Sequence, residues 1–166
     1  MNSWSFDAAR HSSLAQQKKK ENKKFIQSLK RLNPSKLDQL IHALHEDVFD
    51  EIDCLHCANC CRSLGPRLTE RDISTLSKYL GIRANQFIDS YLRIDEDMDF
   101  VFKTMPCPFL GDDNYCRVYE ARPKACREYP HTDRDKFYQL LDLSLKNAET
   151  CPAVLEIFER ARSASR

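Results

Sequence analysis

The sequence is poor in glycine, in long apolar runs and in charge of one sign, and each shortage excludes a class of protein. Its 166 residues include only 3 glycines, too few for a glycine-rich nucleotide-binding loop. No stretch approaches the roughly 20 apolar residues that a membrane-spanning helix needs. Residues 1–17 contain charges and no apolar segment typical of an export signal. We therefore expect a cytoplasmic protein without a membrane segment.

The charge is nearly balanced over the whole chain but not along it. A formal net charge of +1 argues against a protein that binds polyanions over its whole surface. Residues 10–36 nevertheless contain nine Lys and Arg residues and a single acid, Glu21. A helix with such a face binds nucleic acid in some proteins and is merely solvated in others. The sequence indicates no particular protein partner.

Apolar periodicity predicts a mostly α fold with little β structure and a loop-rich, metal-stabilised cysteine core. We expect residues 1–36 to be a basic N-terminal extension or helix, partly disordered, that docks weakly through Phe25, Leu29 and Leu32. Residues 37–166 are expected to form a single cysteine-cluster metal-binding domain, with the motifs concentrated in residues 50–132.

Capping residues and helical spacing predict most of the elements in that domain. Ser35 is a candidate N-cap for a helix whose apolar face consists of Leu37, Leu40, Ile41, Leu44 and Val48. Further helices are predicted from Thr69 to Leu80, where Gly81 ends the helix, from Arg83 to Leu92, from Asp133 onward and from Pro152 to about Ala161. Only residues 98–105 alternate like a strand.

Eight cysteines are the main chemical feature of the chain. Without an export signal there is no oxidising compartment to form disulfides, so thiolate metal ligation is the leading interpretation. The residues 105–131 include four prolines and three cysteines, a composition that prevents a long helix. This loop-rich stretch needs something other than its own hydrogen bonds to hold it.

Four of the cysteines form the cluster Cys54-x-x-Cys57-x-x-Cys60-Cys61. A CxxC spacing brings two thiolates to one side of a turn, where they converge on one metal ion. On a continuous helix, residues 54, 57 and 61 would share a face and Cys60 would point elsewhere. We therefore expect Cys60 and Cys61 to serve different metals or different corners of one cluster.

The other four cysteines are dispersed, and all eight are candidate ligands: Cys54, Cys57, Cys60, Cys61, Cys107, Cys116, Cys126 and Cys151. Eight thiolates fit two zinc sites, one iron–sulfur cluster with one zinc ion, or a single cluster with spare thiols. Cys151 is the weakest candidate because it also fits a helix core. His56 and His131 are alternative ligands, although eight cysteines already suffice.

Basic residues accompany these cysteines along the chain: Arg62, Arg67, Arg117, Arg122, Lys124 and Arg127. Four thiolates around a divalent metal leave a net charge of about −2, which nearby cations would neutralise. The same arginines would also suit an anionic substrate.

The cysteine motifs resemble those of the YkgJ-like cysteine-cluster proteins, a family of zinc- or iron-chelating CxxCxxCC domains. Residues 54–62 resemble its signature, Thr69-Glu-Arg-Asp72 its following LTxxD segment, and residues 107–110 its CPFL segment. Residues 116–130 resemble its CxxYxxRPxxCRxYP segment. The family is mostly bacterial and cytosolic. The resemblance therefore implies a protein of this kind that binds zinc, iron or an iron–sulfur cluster through these cysteines.

Three hypotheses follow. The first is a zinc- or iron-binding protein in which the metal supplies much of the folding free energy. The second is an iron- or cluster-dependent redox or protein-modifying enzyme, which requires an open coordination position or an adjacent cavity. The third is a zinc adaptor module whose basic helix binds nucleic acid.

Overall fold

A computed structural model describes residues 5–164 and shows a mostly α-helical protein, as predicted. Within that range the helices are α1 (Ala8–Leu29), α2 (Pro34–Glu51), α3 (Cys54–Cys57), α4 (Asn59–Ser63), α5 (Glu70–Tyr79), α6 (Ala84–Tyr91), α7 (Lys124–Glu128), α8 (Leu141–Asn147) and α9 (Pro152–Ala164). The strands are β1 (Leu92–Ile94) and β2 (Phe100–Phe102), and Tyr119–Ala121 and Phe137–Gln139 are 3-10 turns. None of the described helices is both apolar enough and long enough to cross a membrane.

The chain divides into two compact units. The terminal unit combines Met1–Cys57 with Pro130–Arg166, and the central unit is Ala58–Tyr129. Helix α1 is part of the terminal unit, where it packs against α8 and α9. Helical periodicity locates the apolar face of α1 but cannot show that its partners come from the opposite end of the chain.

Three long helices, α1, α2 and α9, build the core of the terminal unit. On α1, Phe25, Ile26 and Leu29 are buried, and the ring of Phe25 meets that of Phe158 on α9 edge-on at 6.3 Å between centroids. The predicted contact of Leu32 is wrong, since α1 ends at Leu29 and Leu32 is 42% exposed.

The apolar face predicted for α2 is confirmed, and its cap lies two residues earlier than expected. Leu37, Ile41 and Val48 are fully buried. The Asn33 side chain accepts hydrogen bonds from the N–H groups of residues 35 and 36, and Pro34 takes the first helical position. A proline is favoured there because its missing N–H would have no helical partner.

Helix α5, in the central unit, begins with a capping box. The Thr69 hydroxyl accepts from the Asp72 N–H, and the Asp72 carboxylate accepts from the Thr69 N–H. Gly81 follows the helix with a φ of 69°, a left-handed conformation that glycine adopts without a Cβ penalty. Both predicted ends of this helix are therefore confirmed.

The central unit has its own apolar core beneath a two-stranded sheet. Strands β1 and β2 pair antiparallel, with Leu92 opposite Phe102 and Ile94 opposite Phe100. Phe87 on α6 is fully buried, and its ring stacks on Phe109 with centroids 6.3 Å apart. β2 lies in the predicted strand region, whereas β1 was not predicted, because its first residue, Leu92, is also the end of the predicted helix from Arg83.

A helix beginning at Asp133 is wrong. Lys136 takes a left-handed conformation with a φ of 60°, a 3-10 turn follows it, and α8 begins only at Leu141. The Asp38 carboxylate on α2 accepts from the N–H groups of Lys136 and Phe137 at 2.8 and 2.9 Å. The Asp38 side chain, about 100 residues earlier in the sequence, therefore fixes the start of the 3-10 turn that precedes α8. Pro152 begins α9 as predicted.

Candidate metal centre

The CxxCxxCC segment is not one continuous helix. Ala58 adopts a left-handed conformation with a φ of 48°, which separates α3 from α4. The face that residues 54, 57 and 61 would share on an unbroken helix therefore does not exist. Cys54 and Cys57 belong to the terminal unit, and Cys60 and Cys61 belong to the central unit.

Loop hydrogen bonds bring three of the central unit's cysteines together. The Cys107 N–H donates to the Cys61 carbonyl at 2.8 Å. The chain then reverses around Gly111, whose N–H donates to the Tyr115 carbonyl at 2.9 Å. An antiparallel bridge pairs Leu110 with Cys116 across this reversal. Backbone bonds alone therefore place Cys61, Cys107 and Cys116 in one neighbourhood.

Cys126 comes from α7, a single short helix attached to α5 through a buried carboxylate. Asp72 accepts at Oδ1 from the Lys124 N–H at 2.9 Å and at Oδ2 from the Thr69 N–H at 2.9 Å. It also accepts from the Thr69 hydroxyl at 2.7 Å. Asp72 therefore connects the start of α5 to the start of the helix that carries a cysteine.

Asp72 is a positioning residue that sequence reasoning undervalued. Its signal was present, since a Thr followed three residues later by an acid predicts a capping box. Burial raises the pKa of Asp72, but the hydrogen bonds from Thr69 and Lys124 outweigh burial and hold that pKa below its usual value. Asp72 also holds the start of α7. This second role depends on its hydrogen bond with the Lys124 N–H, which joins residues 52 positions apart in the sequence.

The four central thiols Cys61, Cys107, Cys116 and Cys126 affect one another electrostatically. Burial, followed by repulsion from neighbouring thiolates, raises the pKa of Cys107 to about 11 and that of Cys126 to about 12. The pKa of Cys116 is raised by the same causes. Cys126 is exposed as a residue, yet its sulfur is desolvated enough for this shift. Without a cation, burial and repulsion favour protonated thiols at these three positions.

Cys61 differs from the other three. A hydrogen bond from the Cys60 thiol, with sulfurs 4.0 Å apart, and the nearby Arg62 charge lower the pKa of Cys61 to about 7. Cys61 is therefore the thiol of this group that ionises first. Its negative charge contributes to the raised pKa values of its neighbours.

The terminal unit holds a second group of thiols. Cys54 and Cys57 lie at the two ends of α3, and Cys151 precedes α9. Burial, together with repulsion from the thiolates of Cys54 and Cys57, raises the pKa of Cys151 to about 12. The structure therefore brings together Cys54, Cys57 and Cys151 in one unit and Cys61, Cys107, Cys116 and Cys126 in the other.

The two groups are neighbourhoods and not finished coordination spheres. Within residues 5–164, no three His, Cys, Asp or Glu side chains are arranged so that they could already hold a metal ion. The donor chemistry nevertheless fits a thiophilic cation. Thiols that repel one another once ionised are stabilised together by a divalent ion, which supplies the opposing charge and displaces their protons.

The comparisons with known proteins agree with this chemistry. Residues 53–152 match the sequence model of the CxxCxxCC family, described as a "Putative zinc- or iron-chelating domain". The chain belongs to the CxxCxxCC family. The matched segment begins one residue before Cys54 and ends one residue after Cys151, so it covers all eight cysteines. Membership in the CxxCxxCC family supports metal-ion binding. No curated protein and no solved structure matches the chain.

The basic residues beside the cysteines of this CxxCxxCC protein do different things. The charges of Arg62 and Arg122 lower the pKa values of nearby thiols, which is the neutralising role expected from the sequence. Arg67 and Arg117 instead pair with Asp99 at 2.9 Å and with Asp113 at 3.3 Å. His56, an alternative ligand, is 67% exposed at its side chain and lies 3.7 Å from the Asp53 carboxylate.

A polar cleft of about 300 Å³ opens beside α7 in the CxxCxxCC protein. Its lining residues are Thr69, Arg71, Asp72, Thr75, Lys124, Arg127 and Glu128. The Lys124 ammonium lies 3.7 Å from the Glu128 carboxylate, and an Arg127 N–H donates to the Arg122 carbonyl at 2.5 Å. Much of the positive charge around the cleft therefore already has a partner.

Proposed function

We propose that this protein binds zinc or iron through the thiolates of Cys61, Cys107, Cys116 and Cys126. The observation that carries the proposal is the gathering of four thiols from a loop-rich segment into one electrostatic neighbourhood. Four thiolates suit a tetrahedral zinc ion and equally the irons of an iron–sulfur cluster. The bound metal would supply positive charge that holds the four thiolates together.

The residues around these thiols would control charge and position. Cys61 is the first to ionise, since the Cys60 thiol and Arg62 favour its thiolate. Arg122 stacks over the Tyr119 ring, with its guanidinium carbon 3.7 Å from the ring centroid, and its charge acts on Cys116 and Cys126. Asp72 holds the helix that carries Cys126. The Cys60 thiol, Arg62 and Arg122 would reduce the electrostatic cost of gathering four thiolates, and Asp72 would position one of them.

None of the eight cysteines, all of which lie within residues 5–164, forms a disulfide. A reducing compartment, such as the cytoplasm, would keep their thiols available for metal and would protect the exposed ones from oxidation. We therefore propose a cytoplasmic location for this metal-binding function.

The metal content of the natively purified protein tests the proposal. We expect anaerobically purified protein to contain zinc or iron by elemental analysis, and visible absorption to distinguish an iron–sulfur cluster from zinc. Cys116→Ser should release metal and lower the melting temperature together, because metal-binding free energy is also folding free energy.

The control is Lys20→Ala, on an exposed face of α1 in the other unit. This substitution should change neither the metal content nor the melting temperature. Folded wild-type protein that contains neither zinc nor iron would refute the proposal, and so would a Cys116→Ser variant with full metal content and unchanged stability.

We propose nucleic-acid binding by α1 as a second candidate function, because the lysines of its basic run differ in whether they pair with acids. Lys18, Lys19 and Lys30 pair with acids from α1, α8, α9 and the loop before α9 at 2.8 to 3.4 Å. Within residues 5–164, the exposed Lys20, Lys23 and Lys24 make no ion pair and line a shallow cleft with Gln27. Their spacing presents three positive charges along one helix face.

Salt-dependent binding tests this second candidate. Changing Lys20, Lys23 and Lys24 to Gln should weaken binding to duplex DNA and lower the salt slope by about 0.9 for each lost phosphate contact. The matched control changes the paired Lys18 and Lys19 to Gln and should retain the wild-type slope. Absent or salt-insensitive binding to both duplex and single strands would eliminate the candidate.

A further inference from the structure

The segment from Cys107 to Cys116 is a loop with a buried base and an exposed tip. In this cysteine loop, residues 107–116, Phe109 is 6% exposed and belongs to the apolar core of the central unit. Tyr115, near the tip, is 44% exposed. The core therefore holds the base of the loop, whereas the tip, from which the chain returns to Cys116, lies outside that core.

Helix α4, which carries Cys61, is attached to the cysteine loop at both its base and its tip. At the base, the Cys107 N–H donates to the Cys61 carbonyl at 2.8 Å. At the tip, the Arg62 guanidinium donates to the side-chain oxygen of Asn114. Arg62 directly follows Cys61, and Asn114 lies two residues before Cys116. The bond at the tip therefore links the chain beside two of the central thiols.

The backbone at Asn114 explains why an asparagine accepts this bond. Asn114 has a φ of 63°, and its N–H donates to the Gly111 carbonyl at 2.9 Å. Asparagine tolerates this left-handed conformation better than most residues do. Glycine tolerates it as well but has no side-chain acceptor. Asn114 therefore serves both to turn the loop and to accept from Arg62.

We propose that Arg62 is a positioning residue, which holds the tip of the cysteine loop to α4 through Asn114 and so keeps Cys116 within reach of a metal ion bound at Cys61. This inference rests on the proposed metal-binding function and deepens it. Within residues 5–164 the donors do not yet form a finished coordination sphere, so metal binding must draw them together. A loop whose tip is already held loses less conformational freedom in that step.

Two substitutions remove this hydrogen bond and keep the positive charge at position 62. Asn114→Gly removes the acceptor and keeps the left-handed backbone. Arg62→Lys keeps the charge, but its ammonium ends one atom short of the guanidinium nitrogens and lacks their planar fork. Asn114→Asp is the conservative variant, since it retains an acceptor oxygen. Asp112→Ala, an exposed acid at the same tip, is the matched control.

Three measurements on the reduced, full-length chain test the proposal. Competition with a chelator gives the zinc affinity of protein stripped of its metal. The absorption spectrum of the Co²⁺-loaded protein reports how thiolates surround the metal. Hydrogen exchange of the metal-free protein, followed by mass spectrometry, reports how often residues 107–116 open.

We expect Asn114→Gly and Arg62→Lys each to lower the zinc affinity about fivefold, to alter the Co²⁺ spectrum and to speed exchange in the cysteine loop. The double variant should bind zinc as weakly as either single variant, because both substitutions remove the same bond. Asn114→Asp and Asp112→Ala should keep the wild-type affinity and spectrum.

Wild-type zinc affinity in Asn114→Gly would overturn the positioning role and leave only the charge of Arg62. Losses that add in the double variant would also overturn it, since the two residues would then act separately. Faster exchange with unchanged zinc affinity and an unchanged Co²⁺ spectrum would show a bond that stabilises the loop without positioning Cys116. The proposed function stands in these three cases, whereas a wild-type chain that binds neither zinc nor iron would overturn the proposed function itself.

Discussion

Asp72 shows how one buried side chain can organise a loop-rich site. Its carboxylate accepts three hydrogen bonds, two from Thr69 and one from the Lys124 N–H. It is 4% exposed, so its removal leaves the donors of these bonds in a largely buried position without a side-chain partner. When a buried donor loses its partner, the free energy of unfolding falls by the full desolvation free energy of that donor.

We expect Asp72→Ala to lower the free energy of unfolding by about 2 to 3 kcal/mol, since it leaves two backbone N–H groups without their partner. Metal affinity should fall as well, because the start of α7 is no longer held. Chemical denaturation and a zinc competition assay measure the two effects. Asp112→Ala, an exposed acid in the same unit, should stay within about 0.5 kcal/mol of wild type. Equal stability of the two variants would contradict this account.

His11 is a buried histidine on α1, 7% exposed. Burial lowers its pKa from the usual value, although backbone hydrogen bonds to Glu149 and Ala148 act in the opposite direction. The unfolded chain therefore binds a proton at a higher pH than the folded chain does. Stability from this residue is complete above the unfolded pKa of about 6.5 and is lost as the pH falls through the lower folded pKa.

We expect the wild-type melting temperature to fall between about pH 6.5 and pH 5 by more than that of His11→Asn. Asparagine keeps an N–H donor for the two carbonyls and does not titrate in this range. Thermal denaturation at several pH values measures the difference, and comparing the two chains removes contributions that they share. Parallel pH profiles would show that His11 does not act in this way.

At the scale of elements, the terminal unit depends on a helix interface that joins the two ends of the chain. Helix α9 packs against α2 and α1, and Phe158 is fully buried among them. Surface pairs add to the same interface, since the Arg160 guanidinium donates to both oxygens of Glu51 at 3.1 and 2.6 Å. Water screens an exposed pair of this kind, so apolar burial stabilises this interface more than the ion pairs do.

Phe158→Ala should lower the free energy of unfolding by about 3 to 5 kcal/mol, because it removes buried apolar area and leaves a cavity. Leu32→Ala is the control, since Leu32 is 42% exposed, and it should cost less than about 0.5 kcal/mol. Urea denaturation followed by circular dichroism compares the two. Similar losses for both variants would contradict the burial that the structure shows.

Local patterns predicted the elements whose determinants lie within one helix. The cap at Thr69, the end at Gly81 and the face of α2 all follow from residues fewer than about four turns apart. Local patterns did not predict the late start of α8, because the Asp38 carboxylate that accepts from the Lys136 and Phe137 N–H groups comes from α2. Strand β1 was missed because it follows α6 directly, and its pairing with β2 is what identifies it as a strand.

For the whole molecule, the balanced formal charge hides how charge is distributed. The count of +1 treats the thiols as neutral, whereas thiolates that bind a metal ion carry negative charge. Arg62 and Arg122 already lie where they act on the central thiols. The lysine run on α1 is partly neutralised by acids that come from α8, α9 and the loop before α9.

The sequence by itself determined the helical class, the metal-binding chemistry and the family, because helix periodicity, capping and cysteine spacing are properties of neighbouring residues. Only the tertiary structure decided which thiols share a neighbourhood. The consecutive cysteines 57 and 60 belong to different units because one left-handed residue, Ala58, intervenes. Cys54 and Cys151 belong to the same unit because α9 returns to pack against α1 and α2. Spacing along the chain cannot contain that information, since the packing of distant apolar faces fixes it.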